Sequence, residues 1–130
     1  MSSSKKHLIK LSLVVGALAL VGLCVTSCLS SIFNRPPTPM IAIAEGNPYG
    51  PPPLEVTFDI SGSSDPDGEI VSFTFDFTDG SEPIQGTDLA QPIPHTFTTQ
   101  GQYFATLTVV DNVGKETLAQ LVIAVTEPPE

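Results

Sequence analysis

The sequence predicts an all-β sandwich of about seven short strands, preceded by an N-terminal signal or anchor segment. Three observations lead there. From Met40 onward apolar residues recur with a period of two, and no window carries the repeat of an amphipathic helix. The chain's 13 prolines and 10 glycines suit a strand-and-turn protein better than a helical one. A hydrophobic content of 41% against 15% charged is too apolar for disorder, and 130 residues allow one domain, not two.

Residues 1–33 stand apart from the rest. Lys5, Lys6 and Lys10 form a positive head, and no charge follows from Leu11 to Phe33. Such a segment is a signal peptide or a membrane anchor, not core. Within it Val25-Thr26-Ser27-Cys28 resembles the lipobox of bacterial lipoproteins. That resemblance implies cleavage after residue 27 and a lipid anchor on Cys28. Cys24 fits the pattern less well, because the bulky Leu23 precedes it. The alternative is an uncleaved helix over residues 11–33, long enough to cross a bilayer with some tilt. Lysines on its N-terminal side keep that end cytoplasmic in both cases. Either way the membrane is a partner through the N-terminus, and the remaining chain is extracytoplasmic, at the cell envelope or surface.

Cleavage there leaves Arg35 and Lys115 against all 14 acidic residues. That balance repels nucleic acid and anionic headgroups, which removes DNA and RNA from the possible partners. Residues 28–39 read as a linker, Ser- and Pro-containing from Ser30 to Pro39. Ten such residues reach about 35 Å, so the domain over residues 40–126 is held close to its membrane. Residues 127–130 form a tail.

Along the domain, Met40–Ala44 reads as a short strand ended by Glu45-Gly46-Asn47-Pro48. Leu54, Val56, Phe58 and Ile60 alternate with Glu55, Thr57 and Asp59. Val71, Phe73, Phe75 and Phe77 repeat the pattern and are expected to face inward. A long polar connection from Asp79 to Pro94 contains no convincing helix, and His95–Phe97 reads as a short strand. Tyr103, Ala105, Leu107 and Val109 share one face, as do Ala119, Leu121, Ile123 and Val125. Asp111-Asn112-Val113-Gly114 joins those last two strands as a hairpin. Neither cysteine lies in the domain, so packing must hold it, mainly through Phe58, Phe73, Phe75, Phe77, Leu107, Val109 and Ile123.

Five motifs follow in order, Ser63–Gly68 ("SSDPDG"), Phe75–Gly80 ("FDFTDG"), His95–Phe97, Gly101–Tyr103 and Asp111–Gly114 ("DNVG"), and Gly50–Asp59 ("GPPPLEVTFD") precedes them. Together they resemble the PKD (polycystic kidney disease) domain family. Phe75 stands where that family has a core Trp, and Thr78 where it has a Gly before Asp79. The resemblance covers about residues 37–126. It implies an immunoglobulin-like sandwich outside the cell that acts as a binding module or spacer and not as an enzyme. It also implies that acidic loops sometimes hold calcium.

The residues themselves offer few sites for chemistry. His95 is the only histidine of the exported part and reads as a structural ring at the start of a strand. No phosphate-cradling loop, CxxC or HxH pair is present. Tyr103, two residues after Gly101, matches a tyrosine corner whose hydroxyl bonds the backbone just upstream. Asp65, Asp67 and Asp76, with Asn47, are the candidate donors for Ca²⁺, which wants six to eight hard oxygens. The competing reading makes the aspartates turn residues bonded to nearby amides. The expected function is a membrane-tethered interaction module for an envelope protein or polysaccharide. An accessory or spacer subunit holding a secreted enzyme at the envelope, or a calcium-stabilised structural domain, is the alternative.

The anchor is directly testable. Cys28→Ala should abolish labelling by a fatty-acid probe and leave the precursor uncut. A wild-type chain that retains Met1 and takes up no label would establish the spanning helix instead.

Overall fold

In a computed structural model of the chain, the described residues are 33–130. The Cys28 anchor and its signal segment lie outside them. Arg35–Glu130 forms a compact unit. The domain therefore begins before the expected start at Met40. Thr38 exchanges backbone hydrogen bonds with Ser64 at 2.7 and 3.0 Å, the Arg35 amide donates to Asp67 Oδ2 at 2.8 Å, and Pro37 is buried. The part of the expected Ser- and Pro-containing tether from Arg35 to Pro39 instead belongs to a strap bonded to the domain.

Eight strands build this unit: β1 (Ala42–Gly46), β2 (Tyr49–Gly50), β3 (Leu54–Asp59), β4 (Ile70–Asp76), β5 (Ile84–Gly86), β6 (Ile93–Phe97), β7 (Gly101–Asp111) and β8 (Glu116–Val125). They form a three-stranded sheet, β1-β3-β6, and a five-stranded sheet, β2-β8-β7-β4-β5. All pairs are antiparallel except β2 with β8. The first strand starts at Ala42 and runs to Gly46, two residues later than expected. It can continue through position 46 only because that residue is glycine. Gly46 has φ +89°, and a Cβ there would sit 2.3 Å from the Glu55 carbonyl oxygen. Strand β5 escaped the periodicity because three residues ending in Gly86 carry no alternation to read.

The core fills the space between the sheets. Leu54, Val56, Phe58, Ile93 and Phe97 come from the smaller sheet. Phe73, Phe75, Ala105, Leu107, Val109, Ile123 and Val125 come from the larger, with Ile60 and Phe77 just past the ends of β3 and β4. Val71 is a correction to the expected inward face, since it is 44% exposed. The β4–β7 register shifts between Ile70 and Ser72, so Val71 is the extra residue of a bulge. Ile70 packs on the core in its place, and the alternation resumes at Phe73.

The β7–β8 hairpin is the longest pairing, with ten residue pairs and no register shift. Its turn is fastened from inside. The Val113 and Lys115 amides donate to Asp111 Oδ1 at 2.9 and 2.8 Å, while Gly114 takes φ +95°. Phe75 is fully buried and touches Phe58 and Phe77 with ring centroids 5.0 and 5.2 Å away. Phe75→Ala should therefore cost about 3–5 kcal/mol through the cavity it opens. Chemical denaturation of residues 35–130 reads the loss, and a cost under about 1 kcal/mol would contradict this packing.

Candidate functional site

Three places on the domain gather polar or exposed side chains. The first is the end of the sandwich where Asp65 and Asp67 precede β4. Asp65 Oδ1 accepts from the Asp67 amide at 3.1 Å, and Asn112 Oδ1 accepts from the Glu69 amide at 3.1 Å. Asp76 is elsewhere. It ends β4, six residues of extended chain from Ile70 or about 20 Å away, and its Oδ1 accepts from the Thr78 amide at 2.8 Å. Asn47 lies toward the Asp76 end, because its neighbour Tyr49 pairs with Ala124 and Ala124 with Gln102. The four expected calcium donors are thus divided between opposite ends of the sandwich. Among the described residues no three His, Cys, Asp or Glu side chains converge as a metal site.

The second place follows β4. Thr78 adopts φ +58°, a region that costs a branched residue about 1–2 kcal/mol. Two hydrogen bonds offset that cost. Its amide donates to Asp76, and its Oγ1 accepts from the Phe104 amide at 2.9 Å, extending the ladder beyond the last β4–β7 pair. The turn delivers Asp79 to His95 on β6. His95 Nε2 lies 2.6 Å from Asp79 Oδ2, and a carboxylate can only accept, so Nε2 carries the proton. The His95 ring stacks on Phe77 at 3.6 Å and 6°. Asp79 Oδ1 also accepts from the Ser81 hydroxyl and amide.

This arrangement inverts a catalytic triad. There the imidazole stands between hydroxyl and carboxylate, whereas here the carboxylate stands between Ser81 and His95. Among the described residues no hydroxyl hydrogen-bonds the His95 ring. What the trio does is tie the β4–β5 connection of one sheet to β6 of the other. Nearby, the Tyr103 hydroxyl donates to the Thr99 carbonyl at 2.7 Å, and its ring stacks on Phe97. Gly101 leaves room for that ring, which a Cβ would meet at 3.3 Å.

The third place is the outer face of the five-stranded sheet. Phe104 pairs with Val122 and Thr108 with Leu118, while Tyr49 extends the same face through Ala124. Tyr49, Phe104, Leu118 and Val122 are 66%, 43%, 61% and 44% exposed. Thr106, Thr108 and Gln120 lie between them, and Gln120 Nε2 donates to Thr106 Oγ1 at 3.1 Å. Charges appear only at its margins, on Asp76 and Glu116. The sequence carried a signal for this face that its inward pattern obscured. Phe104, Leu118 and Val122 are apolar residues at the solvent-facing parity of their strands.

A family model described as the PKD domain matches residues 36–125. The chain belongs to the PKD domain family. This PKD domain is 36% identical over 73 residues to a "Microbial collagenase" of Vibrio alginolyticus, covering 56% of the chain and 8% of the collagenase. A solved structure described as a "Structural basis for the promiscuous specificity of the carbohydrate-binding modules from the beta-sandwich super family" aligns with TM-score 0.58 and 30% identity. That alignment covers 72% of this chain and 36% of the other. The PKD1 domain of Vibrio anguillarum Epp aligns at TM-score 0.56 and 26% identity, covering 73% of this chain and 99% of that domain. The chain thus spans only a small part of the collagenase and about a third of the first structure.

The tie between the sheets has a pH signature. Burial pushes the Asp79 carboxyl up, but the Ser81 hydroxyl, the His95 ring and the Ser81 amide together hold it below its ordinary value. A carboxylate depressed in the folded state contributes stability above its unfolded pKa and loses it as pH falls through the folded one. Acidification below about pH 4 should therefore lower the wild-type melting temperature more than that of Asp79→Asn. Parallel melting curves from pH 7 to pH 2 would overturn the assignment.

Proposed function

We propose that this PKD domain is an extracytoplasmic, non-catalytic interaction module, tethered by its N-terminal segment, whose outer sheet face binds a neutral polysaccharide. The carrying observation is the contrast between that face and the rest of the chain. A strongly acidic protein keeps one broad surface almost free of charge and places on it two aromatic rings, two aliphatic side chains, hydroxyls and an amide. Aromatic rings stack on the apolar faces of uncharged ligands, while threonine and glutamine supply hydrogen bonds at modest desolvation cost. The likeness to a carbohydrate-binding module supports a glycan over a protein. The collagenase and the Vibrio PKD1 domain support an extracellular setting.

A second reading has its own support. The chain matches only 8% of the collagenase, so a domain of this type can be one part of a larger machine. As an accessory subunit it would hold a separate enzyme near the envelope.

Retention on insoluble cellulose and chitin separates the two. The wild-type domain should be retained, and Phe104→Ala and Tyr49→Ala should each reduce retention about tenfold while leaving the melting temperature within a few degrees. No retention, with an enzyme recovered from envelope extract on the immobilised domain, would establish the accessory role.

A further inference from the structure

Strand β8 lies between β7 and the two-residue β2, so its outer edge is covered only at its C-terminal end. There the Ala124 amide donates to the Pro48 carbonyl at 2.8 Å, and the Thr126 amide to the Gly50 carbonyl at 2.9 Å. Successive residues of a strand turn their N–H and C=O to opposite sides, so these two bonds fix the parity of the whole strand. Even-numbered residues face the outer edge, and odd-numbered ones face β7. Leu118, Gln120 and Val122 therefore direct backbone N–H and C=O past the end of β2, where no described residue bonds them. Glu116 has the same parity.

Sheet edges are normally blunted by lysine, proline, a bulge or a covering segment. From Glu116 to Val122 the described residues supply none of them. Thr117–Val125 contains no charge, no proline and no glycine, and its ladder with β7 runs without a register shift. Such a stretch is a template for another strand.

We propose that this edge pairs antiparallel with the same edge of a second copy of the chain, centred on Ala119, so that the two five-stranded sheets become continuous. Three features select a copy of this chain. The open stretch from Glu116 to Val122 is bounded by the hairpin turn at one end and by β2 at the other, and Ala119 is its midpoint. An antiparallel copy thus fills it from end to end. In that register Glu116 lies opposite Val122 of the second copy and Leu118 opposite Gln120, so no like charges face each other. Every edge-facing N–H and C=O gains a partner, while the Ala119 methyls meet at the two-fold axis, where a closely spaced pair suits a small side chain. The charge distribution agrees. Two copies with Arg35 and Lys115 against 14 acids repel each other over most of their surfaces, and this edge carries one charge, Glu116, at its margin.

Sedimentation equilibrium on residues 35–130, which contain the whole core and no cysteine, should show a monomer–dimer equilibrium. The full chain in detergent micelles should show the same. Ala119→Cys should form a disulfide-linked dimer under mild oxidation. Gln120→Pro removes an edge-facing N–H without touching the β7 ladder, and should weaken association about tenfold or more, since two hydrogen bonds are lost per dimer. If that variant fails to fold, Leu118→Lys reads the same edge from a side chain already in solvent. A strictly monomeric domain at millimolar concentration overturns the proposal. So does a dimer that both variants leave intact and Ala119→Cys fails to cross-link. A full chain that stays monomeric while residues 35–130 dimerise overturns it too, showing the edge already taken within the chain.

Discussion

The sandwich depends on one continuous aromatic column. Phe75 and Phe77 reach from the larger sheet, Phe58, His95 and Phe97 from the smaller, and the stack ends at Tyr103. Both cysteines fall before residue 29, so no covalent bridge joins the sheets. The column takes on that task with surfaces that interlock, and its polar end is fastened by the Asp79 carboxylate below and the Thr99 carbonyl beside it. Domains of this size have a thin stability margin, so the loss of any one ring is felt throughout.

Most of this was legible in the sequence because half-buried strands advertise their inner face. The alternations in β3, β7 and β8 identified Leu54 to Ile60, Ala105 to Val109, and Ile123 with Val125 as core without ambiguity. Errors arose where the backbone departs from a strict period. The bulge at Val71 reversed one residue, since an insertion in a strand leaves no trace in a pattern of apolar letters. The strap at Arg35–Pro39 departs from the expected tether for a related reason. Its backbone bonds to Ser64 and Asp67 are tertiary, and its prolines suit an extended tether equally well.

The sites were harder to read than the fold. Asp65, Asp67 and Asp76 lie within a dozen residues, and closeness in sequence suggested closeness in space. A strand is the one element that defeats that expectation, because it moves the chain about 3.3 Å per residue in a single direction. Conversely, Asp79 and His95 are separated by 16 positions and meet at hydrogen-bond distance, brought together by the left-handed turn at Thr78. The place of His95 at the start of a strand made a structural role legible; its partner was not.

The strand directions also determine how the domain would bear a load. Arg35–Thr38 attaches beside Ser64 and Asp67 at one end of the sandwich, while β8 runs the length of the sheet and leaves at the other. The two points are separated by roughly the length of a ten-residue strand, about 33 Å. Tension between them would act along the strands, not across them. The parallel β2–β8 pair would then be pulled in opposite directions, and its bonds at Ala124 and Thr126 would be strained together, not one after another. The short strand that leaves most of the β8 edge open is thus also the latch that resists extension.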